Sequence, residues 1–325
     1  MRWAVREKDG IWGDDERTLA PEAREALPEE GLEGRPLRDE GVWDELGEAF
    51  RGVVASDAGG RGVASLYDPR AWARGVGLLA RSRHPVLVTG FVVPPRGVAE
   101  TDGPPGVAVL ARALKGRGVA PRVVTDGRCL PVVRAACEAL GGARLQGAHA
   151  GDGVLEPDSD LLVFVERLGR AEDGGYYNMR GEEIGAWTAP LDDAAALARA
   201  RGIPVVAVGD GGNEAGMGNY ARELGALVPA FSRCLSAVPA AATLVVDVSN
   251  WGAYILAAGL SLEEGRWLGH DEEEEEALGE AMVAAGAVDG ATKRPEATVD
   301  GLPPERHRGV VRRIRELWER HRRSF

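Results

Sequence analysis

The sequence contains very little lysine and cysteine, and each shortage excludes a class of chemistry. Only three of the 39 basic residues are lysines, Lys8, Lys115 and Lys293. None of them lies in a motif for Schiff-base or pyridoxal phosphate chemistry. The 3 cysteines include no Cys-x-x-Cys pair, which argues against structural zinc and against a disulfide framework.

Long apolar runs and nucleotide-binding motifs are also absent from the sequence. No apolar run reaches about 18 residues, and the N-terminus has no signal-peptide core, so we expect a cytoplasmic protein with no membrane partner. The net charge of −12 repels phosphate backbones, so we expect no nucleic-acid partner either. There is no Gly-x-x-x-x-Gly-Lys-Ser/Thr motif, so ATP binding of that type is not supported.

Short β-branched runs alternate with helical patterns from residue 85 onward. Because the runs are apolar on both faces, they are typical of a parallel sheet covered by helices on both sides. We therefore predict a three-layer α/β/α sandwich with a mostly parallel sheet over residues 81–325. Residues 1–80 are polar and acidic, and they predict an N-terminal helical flank or cap. The predicted strands are residues 85–91, 121–125, 160–166, 204–210 and 243–249.

Three polar segments, residues 94–106, 167–190 and 209–218, follow predicted strands at the edge where such sheets bind ligands. Crowded carboxylates there cannot all stay ionised without a cation or an arginine. Oxygen ligands without cysteine or histidine favour Mn²⁺ or Mg²⁺, with Ca²⁺ as a third candidate. The predicted metal ligands are Glu100, Asp102, Glu166, Asp173 and Asp210. Solvation, or pairing with nearby arginines, is the alternative explanation of these acids.

Small and amide residues at the same strand ends are candidate substrate-binding groups. Glycines allow the backbone to approach a ligand closely, and amides can hold a polar group, although turn formation and helix capping are alternatives. The candidates are Gly103, Gly211, Gly212, Asn213 and Asn250. Two Val-Asp-Gly sequences near the C-terminus contain Asp289 and Asp300, which belong to turns from which either carboxylate can reach the site.

The loop motifs together resemble the D-glutamate cyclase-like C-terminal domain family, over about residues 85–305. The motifs that carry the resemblance include Glu100-Thr-Asp-Gly-Pro-Pro-Gly106, Tyr177-Asn-Met-Arg-Gly181, Gly209-Asp-Gly-Gly-Asn-Glu214 and Val248-Ser-Asn-Trp-Gly252. The resemblance implies a carbon-oxygen lyase that interconverts D-glutamate and 5-oxo-D-proline.

A metal-dependent ring closure by such an enzyme needs a base and an anion clamp. Glu182 and Glu214 are the candidate bases, and Arg180 is the third catalytic candidate. Arg167 and Arg170 are further candidates for binding a substrate carboxylate. A Mn²⁺- or Mg²⁺-dependent phosphohydrolase acting on phosphomonoesters is the alternative, and a non-enzymatic metal-binding module is a third reading. In each case the expected partner is a small anionic molecule, and homo-oligomerisation stays open.

Overall fold

The computed structural model of the chain describes residues 40–324, so residues 1–39 of the predicted flank lie outside it. Its helices are α1 (Glu40–Val54), α2 (Pro69–Arg81), α3 (Pro104–Gly116), α4 (Leu130–Ala139), α5 (Asp193–Ala200), α6 (Ala221–Leu227), α7 (Ser249–Glu264), α8 (Glu272–Ala284) and α9 (Pro304–His321). Its strands are β1 (Pro85–Thr89), β2 (Val92–Val93), β3 (Val98–Ala99), β4 (Arg122–Asp126), β5 (Arg144–Ala148), β6 (Leu161–Val165), β7 (Val205–Gly209) and β8 (Ala242–Val245).

Six parallel strands form the main sheet in the order β5-β4-β1-β6-β7-β8, and β2 pairs with β3 in a separate antiparallel pair. The chain runs outward from β1 to β4 and β5, then returns to the other side of β1 as β6 and continues to β7 and β8. The strand order therefore reverses between β1 and β6. Doubly wound sheets bind ligands at such a reversal, outside the carboxyl ends of the strands.

Helices cover both faces of the sheet, which confirms the predicted three-layer α/β/α fold. Val86 and Val88 of β1 pack in one cluster with Ala194 and Ala198 of α5. The opposite face carries α2, α3, α4 and α7, with α1, α8 and α9 packed outside these helices. Because both faces are buried, β1, β6, β7 and β8 consist mainly of apolar residues. β4 is equally buried, but its apolar residues Val123 and Val124 lie between polar residues at its two ends.

Helices α1 and α2 are the described part of the predicted N-terminal flank. Helix α2 packs against α7 and β8, and α1 packs against α2 and α9. The domain boundary expected at residue 80 stays a prediction.

Candidate active site

The ends of two neighbouring strands place Glu166 and Asp210. β6 ends at Val165 and β7 ends at Gly209, so the residue after each strand lies at the carboxyl edge beside the reversal of strand order. Glu166 has a φ of 45°, a left-handed conformation that residues with a side chain adopt rarely and mainly at functional positions. Both side chains are buried. The topology of the sheet therefore brings two carboxylates to the position where α/β proteins bind ligands.

Asp102 reaches the same position from the loop that precedes α3. Its carboxylate accepts the backbone N–H groups of Ser249 and Asn250, both at 2.9 Å, so the N-terminus of α7 holds the carboxylate and favours its negative charge. The Ser249 hydroxyl donates to Oε2 of Glu166 at 2.6 Å. One carboxylate oxygen from each of Asp102, Glu166 and Asp210 lies within 4.8 Å of the other two. We call these three residues the acidic triad.

Arg61 borders the triad on one side. Its Nη1 donates to Oδ1 of Asp210 at 2.5 Å, and its Nη2 lies 3.0 Å from Oδ1 of Asp300. Glu100 is also buried near the triad, and its Oε2 fills the space that a Cβ at Gly290 would need. We call the triad together with Glu100 and Asp300 the acidic cluster. Within residues 40–324, Arg61 is the basic residue that forms ion pairs with this cluster.

Burial and mutual repulsion make full ionisation of the cluster unfavourable. Burial, followed by repulsion from Asp300, raises the pKa of Asp102 from its usual 3.8 to about 7. Burial also raises the pKa values of Glu100, Glu166 and Asp210 well above their usual range, although Arg61 opposes the rise at Asp210. The cluster therefore retains protons near neutral pH unless a further positive charge joins it.

The triad fits a divalent metal ion. Its donors are carboxylate oxygens, which Mg²⁺, Mn²⁺ and Ca²⁺ prefer. Oδ2 of Asp210 is buried and has no hydrogen-bond partner within the described part of the chain. A buried carboxylate oxygen in that state costs free energy, and metal ligation removes the cost. Asp102, Glu166 and Asp210 can thus hold a divalent ion.

The long loop after β6 places several predicted residues away from the triad. Asp173 is 41% exposed in its side chain and pairs with Arg233, while Glu182 is exposed and accepts from Asn178. Arg170 lies 3.0 Å from Asp193 and donates to Tyr176. Nη2 of Arg180 donates to the carbonyl of Ala291 at 2.9 Å, next to Gly290 and hence near Glu100. The roles proposed for these residues stay predictions.

Other predicted residues form the walls and supports of the site. Glu214 accepts the backbone N–H groups of residues 210–212, so its carboxylate organises the turn that carries Asp210, Gly211 and Gly212. Asn213 donates to the carbonyl of Tyr177 at 2.8 Å, which ties this turn to the loop after β6.

Arg167 and Asn250 also make contacts within the protein. Arg167 is 1% exposed in its side chain and pairs with Asp126 at 2.6 Å. Oδ1 of Asn250 accepts from the N–H groups of Gly103 and Gly106 and so caps the start of α3. Their direct contact with a substrate stays a prediction.

Arg61 contacts the acidic cluster but is not among the residues predicted from the sequence. It lies in the predicted flank, where no chemistry was assigned, but the glycines at positions 59, 60 and 62 around it are a signal of a special loop. Asp300, by contrast, lies in a Val-Asp-Gly turn from which its carboxylate can reach the site, and it pairs with Arg61.

A buried acidic centre at the strand-order reversal of a doubly wound sheet defines the class of protein: an α/β protein whose site can hold a divalent ion. Comparison with known proteins adds the family. The family described as D-glutamate cyclase-like, C-terminal, matches residues 51–315. The chain belongs to this family, and the resemblance seen in the sequence is confirmed.

A curated protein of Homo sapiens, named D-glutamate cyclase, mitochondrial, is 32% identical to this chain over 234 residues. The match covers 64% of this chain and 37% of the human protein, so the chain spans less than half the length of that relative. None of the helices described in residues 40–324 is long and apolar enough to cross a membrane. The cytoplasmic location stays a prediction.

Proposed function

We propose that this chain is a metal-dependent lyase that interconverts D-glutamate and 5-oxo-D-proline. The observation that carries the proposal is the buried acidic triad in a chain of the D-glutamate cyclase-like family. One carboxylate oxygen from each triad residue lies within 4.8 Å of the other two, at the ligand-binding edge of the sheet. The name of the human relative suggests the reaction. Since the chain spans only part of that relative, the activity is inferred for this chain rather than transferred to it.

Ring closure joins the amine nitrogen of D-glutamate to its γ-carboxyl carbon and releases one water molecule. Two obstacles oppose it, because the amine is protonated near neutral pH and a carboxylate is a poor electrophile. A divalent ion held by the acidic triad, Mn²⁺ or Mg²⁺, would supply positive charge to the carboxylate under attack. The protein side chains must then take two protons from the ammonium group in the course of the reaction and deliver two to the departing oxygen, which leaves as water.

The acid–base groups of this reaction should be carboxyls that do not hold the ion. Ligation of a divalent ion would keep Asp102, Glu166 and Asp210 ionised. Glu100 is buried and outside the triad, and burial raises its pKa well above the usual range, so it is the candidate for donating a proton to the departing oxygen. Glu182 and Glu214 are the candidate bases.

The charge of the site favours an amino acid over a phosphomonoester. An amino dicarboxylate brings an ammonium group, which the acidic cluster attracts. A phosphomonoester brings about two negative charges and no cation, while Arg61 is already paired with Asp210 and Asp300. Arg180, which donates to Ala291 beside the cluster, is the candidate for binding the α-carboxylate.

Proton NMR of the purified chain with each substrate and Mn²⁺ tests the proposal. We expect the ring signals of 5-oxo-D-proline to appear from D-glutamate, or the reverse, and to appear far more slowly with the L enantiomers. Asp210→Asn should abolish the reaction. Phosphomonoesters are assayed in parallel with the same preparation. If both enantiomers of glutamate and of 5-oxoproline stay unchanged while phosphate is released in a metal-dependent way, the chain is a phosphohydrolase and the proposal is wrong.

A further inference from the structure

Asp210 has two carboxylate oxygens in different environments. Oδ1 accepts a hydrogen bond from Arg61, whereas Oδ2 is buried with no hydrogen-bond partner among the described residues. A carboxylate with one oxygen on each of two cations is the arrangement that bridges paired metal ions, which lie about 3.5–4 Å apart in two-metal sites. In this chain the guanidinium of Arg61 contacts Oδ1 of Asp210, and the carboxylates of Asp102 and Glu166 lie near Asp210.

We propose that Arg61 takes the place of a second metal ion, so that the acidic cluster binds one divalent ion and not two. The bound ion is held by Asp102, Glu166 and Oδ2 of Asp210, while Arg61 neutralises Oδ1 of Asp210 and Oδ1 of Asp300. This inference rests on the metal site of the proposed function. It goes further because it fixes the number of ions and assigns a charge-compensating role to Arg61.

The chemistry of arginine suits this role. A guanidinium is charged at every pH at which proteins are folded, and its planar fork can reach two carboxylates at once. Arg61 contacts Asp210 at 2.5 Å and Asp300 at 3.0 Å with different nitrogens. The positive charge is therefore permanent, and it covers the carboxylate oxygens that a second ion would need.

The loop that carries Arg61 is held in place by backbone contacts. The carboxylate of Asp247, just beyond β8, accepts the N–H groups of Ser56 at 2.8 Å and Asp57 at 2.9 Å. Asp57 in turn accepts the N–H of Gly62 at 2.7 Å. The Arg61 side chain is 23% exposed, so most of it is enclosed. The guanidinium is thus positioned before any metal arrives, and a second ion has to compete with a fixed charge.

Counting bound Mn²⁺ tests the inference without an activity assay. Calorimetric titration of the EDTA-treated chain gives the number of ions, and the Mn²⁺ electron paramagnetic resonance spectrum shows whether two ions are magnetically coupled. We expect one ion per chain and an uncoupled spectrum for the wild type. Arg61→Ala, which frees Oδ1 of Asp210 and Oδ1 of Asp300, should bind two ions per chain and show coupling. Arg61→Lys keeps the positive charge and should bind one.

Arg233→Ala is the matched control, because it also removes an arginine that pairs with an aspartate. Its partner is the exposed Asp173, which lies outside the acidic cluster. We expect it to bind one ion. Arg61→Gln replaces Arg61→Ala if the alanine variant does not fold. Two coupled ions in the wild type overturn the inference, and so does a single ion in the foldable neutral variant. Absence of any bound ion also overturns it, whereas the NMR assay decides the reaction independently.

Discussion

Asp210 accepts a hydrogen bond from Arg61 through Oδ1 at 2.5 Å, but its Oδ2 is buried without a hydrogen-bond partner within residues 40–324. Leaving a buried acceptor unpaired costs about 1–3 kcal/mol, and more when the group is charged. Such a cost is expected where a group is reserved for a ligand. The unpaired oxygen therefore supports metal binding more directly than the number of nearby acids does.

Metal removal and replacement should change the stability of the chain. A ligand that binds only the folded state stabilises it by about 2.7 kcal/mol at a concentration 100 times its Kd. We therefore expect EDTA to lower the melting temperature by several degrees and Mn²⁺ or Mg²⁺ to restore it, as measured by differential scanning fluorimetry. Asp210→Asn should abolish the shift produced by the metal.

Asp152→Asn is the control for that experiment, because Asp152 is exposed and lies outside the acidic cluster. It should respond to EDTA and Mn²⁺ as the wild type does. Equal melting temperatures of the wild type with EDTA and with each divalent ion would rule out a metal site of useful affinity.

Ser249 is expected to act through Glu166. Its hydroxyl donates to Oε2 of Glu166 at 2.6 Å, so Ser249→Ala leaves this carboxylate less well oriented. Losing a group that orients a metal ligand typically weakens metal binding about tenfold or more. Isothermal titration with Mn²⁺ measures the change in Kd. Ser261→Ala is the matched control, because Ser261 is a buried serine of the same helix whose hydroxyl contacts Ala257 and Leu268 instead. Similar Kd values for both variants would contradict the proposed role of Ser249.

The main sheet could be predicted because most of its strands are buried on both faces. β1, β6 and β7 each form an uninterrupted apolar run, which a reader of the sequence can recognise. β5 is absent from the predicted strands because it lies at the edge of the sheet, where four of its five residues are not buried. An exposed edge strand with Arg144, Gln146 and Gly147 carries no apolar pattern.

The site could be predicted only in part, because position along the chain does not determine depth in the fold. Asp210 and Asp173 both lie beside glycines in polar loops, yet Asp210 follows a strand next to the β6 end, whereas Asp173 lies on the exposed part of a long loop. The acidic run 271–276 shows the same limit. It is typical of a solvated helix start, but the Glu275 side chain is only 9% exposed and contacts His270 at 2.7 Å and Tyr254 at 2.8 Å.

Gly103 is expected to tolerate no side chain. It has a φ of 96°, and a Cβ there would lie 2.5 Å from Oγ1 of Thr89 and 2.8 Å from Cβ of Glu166. Gly103→Ala should therefore displace Glu166 and weaken Mn²⁺ binding. Overpacking adds about 1–3 kcal/mol to the cost of the left-handed backbone. Urea unfolding and Mn²⁺ titration measure the two effects.

Gly118→Ala separates the clash from the backbone strain. Gly118 has a φ of 78°, but nothing lies within 4 Å of a Cβ placed there. This variant should lose only the stability that the left-handed conformation costs and should bind Mn²⁺ as the wild type does. If the two variants lose equal stability and bind Mn²⁺ equally well, the close packing around Gly103 has no functional consequence.

The raised pKa of Asp102 predicts how the metal-free chain responds to pH. Burial, followed by repulsion from Asp300, raises this pKa from 3.8 to about 7, so the folded chain holds the proton more tightly than the unfolded chain. The contribution to stability is then fully present below the unfolded pKa and is lost as the pH rises through about 7. The Asp102→Asn variant has no titratable group at this position. It also lacks the repulsion by which Asp102 raises the pKa of Glu166. Both changes make the variant lose less stability than the wild type as the pH rises.

The free energy of unfolding of the EDTA-treated wild type, relative to that of Asp102→Asn, should therefore fall by a few kcal/mol between about pH 4 and about pH 8. Urea unfolding at several pH values measures it. The comparison with the variant is needed because His307 has the opposite effect. Burial lowers its pKa, so its contribution to the stability of the folded chain is lost as the pH falls. That contribution is common to both chains and cancels in the difference. Parallel stability curves would show that Asp102 has the same pKa in the folded and unfolded chains, and a difference that rises with pH would show that the folded protein favours its ionised form.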